Sequence, residues 1–265
     1  MTHPTSRTDS LLDADAIGQA LAEIAEEAAK LILPLWGARL DVETKSDNSP
    51  VTVADRRAEI LILARLAERF PGVPVISEED ASEFGVPEKI ADRFFLVDPL
   101  DGTKAFVRGD PNFTVNIALV QSGVPVAGSV VAPPTAEVWF TSAAGAMKRE
   151  NDKIPRRVQV RPWPAGHAVA LISHTMKPAT LDELRERYGF ALTEAMDSSI
   201  KLCRIAEGAA DIYPRHGPTM EWDIAAGHAV LLAAGGRLAG VDGGPFGYGK
   251  ATEGFRNGGF VARGG

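Results

Sequence analysis

Phe94-Phe-Leu-Val-Asp-Pro-Leu-Asp-Gly-Thr103 is the stretch on which the reading of this chain turns. Its first four residues are apolar and β-favouring, so residues 94–97 read as a buried strand. That strand is expected to end abruptly at Asp98-Pro99, because proline removes a ladder donor and presets its own φ. With Pro99 holding the backbone, the carboxylates of Asp98 and Asp101 and the carbonyl of Leu100 can point to one side as oxygen ligands. Gly102 then lets the chain approach a ligand closely, and free N–H groups at a helix start can hold phosphate oxygens.

Downstream, residues 113–120, 126–131 and 137–141 read as three further strands, joined by Ser122-Gly123 and Pro133-Pro134. Together with residues 94–97 they form an antiparallel meander. Upstream, Ile17, Leu21, Ile24, Ala28, Leu31 and Ile32 recur at helical spacing, predicting an amphipathic helix over about residues 13–35, with Pro34 and Gly37 at its end. The polar segment Lys45-Ser-Asp-Asn-Ser-Pro50 reads as a turn, and Thr52-Val-Ala-Asp55 as the capped start of a helix reaching Phe70. A short apolar run, residues 73–76, precedes Ser77-Glu-Glu-Asp80.

Residues 148–157 read as a polar, basic stretch. Beyond it strands and helices alternate: strand 168–173, helix 180–188, helix 198–207, strand 211–213, an Ala-rich helix 223–234 closed by Gly235-Gly236, and strand 237–239. The expected organisation is a mixed α/β (α+β) protein in two halves, residues 1–150 and 151–265, with most of the acids of interest in the first and Asp223 in the second.

Composition narrows the function classes. A 265-residue chain with 45% apolar and 24% charged residues is large enough for a sizeable core and balanced like an ordinary globular protein. Its net charge of −7 and pI near 5.3 argue against a general nucleic-acid binder. Cys203 is the only cysteine, so no intrachain disulfide forms, and it reads as a small buried hydrophobe. The opening residues 1–10 are polar and lack a secretory apolar run, and no segment has the apolar length of a membrane span. The expected location is the cytoplasm, with peripheral contact at the inner membrane face left open.

Asp55, Glu78, Glu79, Asp98, Asp101 and Asp223 sit at strand ends and helix starts. Each has an ordinary explanation: Asp55 and Asp223 as caps, Glu78-Glu79 as a solvated pair, Asp98 to Asp101 as a turn. Together they sit where loops gather around the functional face of a scaffold. No His or Cys joins them, and an all-oxygen set favours Mg²⁺ or Mn²⁺ over Zn²⁺. Such ions would turn an acidic cleft into a phosphate receptor, and two of them would clamp the attacking and leaving oxygens of a displacement.

Glu78-Glu79, Asp98-Pro-Leu-Asp-Gly-Thr103 and Trp222-Asp-Ile-Ala-Ala-Gly227, taken with Asp55, resemble the signature of the inositol monophosphatase superfamily of lithium-sensitive, Mg²⁺-dependent phosphatases. The resemblance runs from the first helix to near the C-terminus. It is greatest to the CysQ-type 3′(2′),5′-bisphosphate nucleotidases, through Lys45-Ser-Asp-Asn-Ser-Pro-Val-Thr52, Asp98-Pro-Leu-Asp-Gly-Thr-Lys104, Phe113-Thr-Val-Asn-Ile-Ala-Leu119 and Tyr213-Pro-Arg215.

That resemblance implies a five-layered αβαβα sandwich of the inositol monophosphatase and fructose-1,6-bisphosphatase kind. It implies removal of the 3′-phosphate of adenosine 3′,5′-bisphosphate, a by-product of sulfate activation, with 3′-phosphoadenylyl sulfate as a second candidate substrate. Glu78, Asp98 and the Leu100 carbonyl would hold one Mg²⁺, and Asp98, Asp101 and Asp223 a second. A weaker third would lie near Glu78 and Glu79, within reach of the loop around Lys45. Glu78, Asp55 and Thr103 would be catalytic, the last two positioning and deprotonating the attacking water, while Gly102 and Thr103 cradle the phosphate. Ser198, Lys201, Arg215 and Asp223 would contact the rest of the substrate. As plain residues, Lys201 and Arg215 read equally as surface cations or as ligands of a second phosphate.

The sequence departs from the family pattern at Ala105 and in Ser173-His174, both of which bear on substrate choice. The competing readings are an inositol phosphate or fructose-1,6-bisphosphate phosphatase on the same scaffold, a non-catalytic metal-dependent binding protein, and a structural oligomer whose acids are solvated caps. Monomer and homodimer are both open.

Overall fold

The computed structural model describes residues 14–37, 42–44 and 50–265. The N-terminal residues 1–13 and the polar segment 45–49, with its proposed reach toward a third ion, lie outside the described residues.

The first helix, α1 (Ala14–Ile32), passes into a 3-10 turn, Leu33–Leu35, where Pro34 interrupts the ladder. Its Ile17, Leu21, Ile24, Ala28 and Ile32 are buried, as the spacing predicts. β1 (Val42–Thr44) and β2 (Pro50–Thr52) form a small antiparallel pair. The following helix, α2 (Val53–Arg69), is capped by Thr52 in a box completed by Asp55.

β3 (Val75–Ser77), α3 (Glu78–Phe84), β4 (Arg93–Asp101), α4 (Thr103–Arg108), β5 (Thr114–Gln121), β6 (Val124–Ala132) and β7 (Glu137–Ser142) follow. The chain then continues through β8 (Gly145–Glu150) and β9 (Arg156–Val158). β3 to β9 form one seven-stranded sheet in chain order, with β3 parallel to β4 and every later pair antiparallel.

Two expectations are corrected here. β4 does not stop at Asp98-Pro99 but runs on to Asp101, with a register shift between Asp98, opposite Asn116, and Asp101, opposite Thr114. A bulge absorbs the extra residue, so proline bends the strand without ending it. The polar, basic stretch 148–157, where no strand was expected, also carries the end of β8 and the start of β9. Lys148, 4% exposed, binds Glu137 at 2.6 Å and Glu207 at 2.7 Å. The sheet change falls between Val158 and the next strand, β10 (Val169–Ile172).

The second half comprises α5 (Pro178–Tyr188), β11 (Leu192–Ala195), α6 (Ile200–Ala206), β12 (Ile212–Arg215), β13 (Thr219–Met220), α7 (Glu221–Ala233), β14 (Arg237–Gly240), β15 (Arg256–Asn257) and β16 (Phe260–Arg263). Its five-stranded sheet has the order β11-β10-β12-β16-β14. The short pair β13–β15 braces the entrance to α7.

The five layers then follow from packing. α1 and α2 cover the outer face of the first sheet, around Phe95, Val97, Ile117 and Leu119. α6 and α7 fill the space between the two sheets, around Leu96, Trp139, Leu202, Trp222 and Val230. α5 covers the outer face of the second sheet through Leu184 and Phe190. Burying each large apolar side chain contributes about 1.5–3 kcal/mol, so the sandwich holds by its area. Gly18 shows how tightly α1 sits, since a Cβ there would lie 1.8 Å from the Thr141 carbonyl oxygen. Among the described residues no helix is long and apolar enough to cross a membrane.

Candidate active site

The starts of α2, α3, α4 and α7 converge on the bulged end of β4. The partial positive charge of a helix N-terminus favours an acid in its first turn, and α2, α3 and α7 carry Asp55, Glu78 and Asp223 there. Glu78, Asp98 and Asp223 each bring a carboxylate oxygen to within 4.8 Å of the others. Residues more than a hundred positions apart thus form one acidic cluster able to hold a metal ion.

The electrostatics are those of a site built for a cation. Asp98, 1% exposed, is held well above the ordinary carboxylate range by burial, then by the neighbouring charges of Glu78, Asp101 and Asp223, against the pull of the Leu100 N–H. Asp223 is raised likewise by burial, Asp101 and Glu78, while one of its oxygens accepts from the Met220 N–H at 2.8 Å. Arg215 eases the charge on Asp223 and Lys201 that on Asp101, and acids that repel one another this closely are further stabilised by a bound hard cation.

Asp101 stands beside this triad. Its Oδ2 accepts from the Ser199 N–H at 2.5 Å and from the Thr114 hydroxyl at 3.3 Å. Burial raises its proton affinity and Lys201 opposes that. Glu79 is buried at the first turn of α3, and its N–H donates to Glu59 Oε1 at 3.1 Å.

Asp55 does two things at once. Its Oδ2 accepts from the Thr52 N–H at 2.8 Å and the Thr52 hydroxyl at 2.7 Å, while its Oδ1 accepts from the Thr103 hydroxyl at 3.1 Å. The cap and the Thr103 contact therefore use different oxygens of one carboxylate. Thr103 Oγ also lies 3.2 Å from the Leu100 carbonyl oxygen. Gly102 has φ +98°, and a Cβ would sit 2.8 Å from the Asn112 carbonyl oxygen, so only glycine opens α4 this way.

Across the cleft, Lys201 is no surface cation. It is 3% exposed, donates to the Met196 carbonyl at 3.0 Å and lies 5.0 Å from the Tyr213 ring centroid. Burial lowers its pKa to about 8, although Asp101 and Asp197 pull the other way. Arg215 is half-buried and donates to the Gly217 and Pro218 carbonyls, each at 3.3 Å. A cavity of about 410 Å³ beside it is lined by Ser173, Met176, Tyr213 and His216. Ser198 has a left-handed backbone, φ +57°, at the entrance to α6. Cys203 is fully buried in α6, where burial pushes its thiol well up, as a structural hydrophobe requires.

Five residues escaped the sequence reading. Ser199 reaches Asn116 Oδ1 at 2.7 Å and Thr114 Oγ1 at 2.9 Å, tying α6 to β5 behind Asp101. Thr114 and Asn116 alternate on one face of an otherwise apolar strand, a signal that was legible. Glu59, one helical turn after Asp55, is 6% exposed, and its Oε1 accepts both the Glu79 and Asp80 N–H groups, the latter at 3.2 Å. Ser77, the N-cap of α3, makes no side-chain cap bond, so α2 supplies the cap from outside.

The sequence profile of the inositol monophosphatase family matches residues 13–258, and the chain belongs to that family. It is 41% identical over 242 residues to the 3′(2′),5′-bisphosphate nucleotidase CysQ of Escherichia coli O157:H7, covering 91% of this chain and 96% of that protein. The crystal structure of CysQ from Bacteroides thetaiotaomicron superposes with a TM-score of 0.76 at 36% identity, covering 93% of this chain and 96% of the other. The histidinol-phosphatase of Mycobacterium tuberculosis is 36% identical over 237 residues, 86% of this chain and 88% of its own.

Proposed function

We propose that this protein is a Mg²⁺-dependent phosphatase that hydrolyses the 3′-phosphate of adenosine 3′,5′-bisphosphate to AMP and phosphate. One observation carries the reading: the Glu78–Asp98–Asp223 cluster lies beside the Asp55–Thr103 pair, and the cations Lys201 and Arg215 flank the same cleft. The metal cluster suits a scissile phosphate, and the two cations suit a second one.

The donor set fits the metal. Every candidate ligand is oxygen, the acids are buried against one another, and Mg²⁺ or Mn²⁺ takes such ligands. Glu78, Asp98, Asp101, Asp223 and the Leu100 carbonyl would hold two ions, with Glu79 near a third. When bound, the ions polarise the phosphoryl oxygens, lower the pKa of the attacking water and neutralise the leaving oxygen.

The chain's own residues supply position and a proton path. Thr103 Oγ orients the attacking water, and its hydrogen bond to Asp55 Oδ1 relays the proton to that carboxylate. Burial raises the proton affinity of Asp55, bringing it nearer a base of working strength. The Gly102 and Thr103 N–H groups receive phosphate oxygens. Lys201 and Arg215 grip the 5′-phosphate, Asp223 and Ser198 meet the sugar, and the nucleoside extends toward the cavity beside Arg215. Residues 1–150 thus hold most of the metal ligands and residues 151–265 select the substrate, in a cytoplasmic enzyme.

The nearby histidinol-phosphatase relative sets the sharpest contrast. Histidinol phosphate has a cationic amine, which Lys201 and Arg215 would repel, and inositol monophosphate has no second phosphate for them to bind. A panel of adenosine 3′,5′-bisphosphate, 3′-phosphoadenylyl sulfate, inositol 1-phosphate, fructose 1,6-bisphosphate and histidinol phosphate, scored by phosphate release with Mg²⁺, tests the assignment. Preference for any substrate lacking a second anionic group overturns it.

A further inference from the structure

A second charged constellation lies on the outer face of the five-stranded sheet, beyond the end of α5. Arg237 on β14 and Arg263 on β16 are directly paired across the antiparallel ladder. Like charges in that relation repel and destabilise the sheet unless something neutralises them. Arg187, near the end of α5, lines the same concavity of about 320 Å³ with Tyr188, Val261 and Asp242.

Three other arginines of this half are neutralised: Arg161 by Asp211, Arg185 by Asp182 and Arg204 by Glu137 and Glu207. Among the described residues Arg187, Arg237 and Arg263 have no carboxylate partner. Asp242, on the rim, accepts from the Gly244 N–H at 3.0 Å. In a protein of net charge −7, three unneutralised guanidinium groups around one hollow run against the overall balance.

The cluster is also ordered by its surroundings. The Arg263 guanidinium lies 5.6 Å from the Trp163 ring centroid and 5.2 Å from that of Tyr188, so stacking holds it in place. Arg187 is fixed by a 2.7 Å hydrogen bond to the Val241 carbonyl. The Tyr188 ring is shared by Arg187, whose guanidinium lies 5.3 Å from its centroid. Burial and the charge of Arg237 both weaken the hold of Arg263 on its proton.

We infer that the hollow between α5 and the β14–β16 edge is a second anion site, separate from the metal cluster, that takes a doubly charged oxyanion through Arg187, Arg237 and Arg263. Guanidinium forks pair with sulfate or phosphate oxygens two at a time, and the hollow has room for the ion and a small attached group. The ion completes the cross-strand pair by standing as its counter-charge, so its binding stabilises the sheet edge.

The test is a titration of the Mg²⁺-loaded full-length protein with inorganic sulfate and, in a parallel arm, AMP, following melting temperature against sodium chloride at matched ionic strength. The wild type should show a saturable gain, and the double variant Arg237→Gln/Arg263→Gln should lose it, needing roughly ten-fold or more sulfate for the same shift. Phosphatase turnover and Mg²⁺ half-saturation of that variant should stay at wild-type values, showing that it folds. Only a gain that the double variant loses counts for the hollow: such a gain with sulfate alone marks the free ion as the ligand, and one with AMP marks an esterified phosphate, since AMP bound at the metal cluster stabilises both proteins alike. Arg237→Glu, which supplies an internal counter-charge, should abolish the gain and raise the melting temperature in chloride. Equal sulfate and AMP shifts in wild type and both variants, or a lowered melting temperature for Arg237→Glu, would overturn the site.

Discussion

The Thr103 hydroxyl donates to Asp55 Oδ1 at 3.1 Å, joining the first turn of α2 to the first turn of α4 across 48 residues of chain. Asp55 keeps its other oxygen for the Thr52 cap, so the dyad is built into a helix start that would hold without it. Thr103→Ala should therefore lower kcat roughly 10²- to 10³-fold while leaving melting temperature and Mg²⁺ half-saturation nearly unchanged. A variant that altered only KM would show that the hydroxyl serves binding and not the water.

Asp98 faces the charges of Glu78, Asp101 and Asp223 together. Asp98→Asn should reduce kcat by roughly a thousandfold or more and abolish thermal stabilisation by Mg²⁺. In metal-free solution the same variant should melt higher than wild type, because one of the mutually repelling charges is gone. Near-normal turnover at saturating Mg²⁺ would remove the metal reading.

The raised proton affinities of Asp98 and Asp223 set a pH dependence with a definite sign. These groups bind protons more tightly folded than unfolded, so their contribution is full below the usual Asp value of 3.8 and is lost as pH rises through the raised folded values. Metal-free protein should accordingly lose stability on this account as pH rises above that value, while the gain from Mg²⁺, which needs the ionised acids, grows over the same interval. Melting curves with Mg²⁺ and with EDTA across that interval decide it, and a Mg²⁺ gain that shrinks with rising pH contradicts it.

Lys201 has its pKa lowered to about 8 by burial, so it begins to lose charge in a range accessible to assay. KM for adenosine 3′,5′-bisphosphate should rise as pH passes about 8, and Lys201→Met should show a high KM with that rise removed. A flat KM profile in the wild type would place the ammonium outside the substrate site.

Glu59 holds the α3 backbone from α2 by accepting the Glu79 and Asp80 N–H groups, and α3 carries Glu78 to the metal cluster. Glu59→Leu should raise the Mg²⁺ half-saturation roughly ten-fold or more, while Glu59→Gln, which keeps an acceptor oxygen, should restore most of it. Equal effects of the two changes would mean that burial, not the two hydrogen bonds, is what Glu59 supplies.

Much of the scaffold was legible before any coordinates. The spacing of Ile17, Leu21, Ile24, Ala28 and Ile32 marks the buried stripe of α1, and the capping box at Thr52 and Asp55 marks the start of α2 to the residue. Such signals are local, because helical periodicity and caps act over three or four positions. The short strands β11, β13, β15 and β16 were not legible, since two to four residues carry too little pattern and pair with partners far away in the chain.

The sequence by itself determined which residue types are present for hard-cation chemistry, the meander of the first sheet and the amphipathic helices, all of which rest on short-range pattern. Only the tertiary structure decided where charges end up. It buried Lys148 in a ring of carboxylates and Lys201 beneath the cleft, and drew Glu59 under α3. It also set Arg237 opposite Arg263. A charged side chain reads as surface until the chain brings its partner from tens of residues away, and the cost of burying it is met or left unmet only by that long-range encounter.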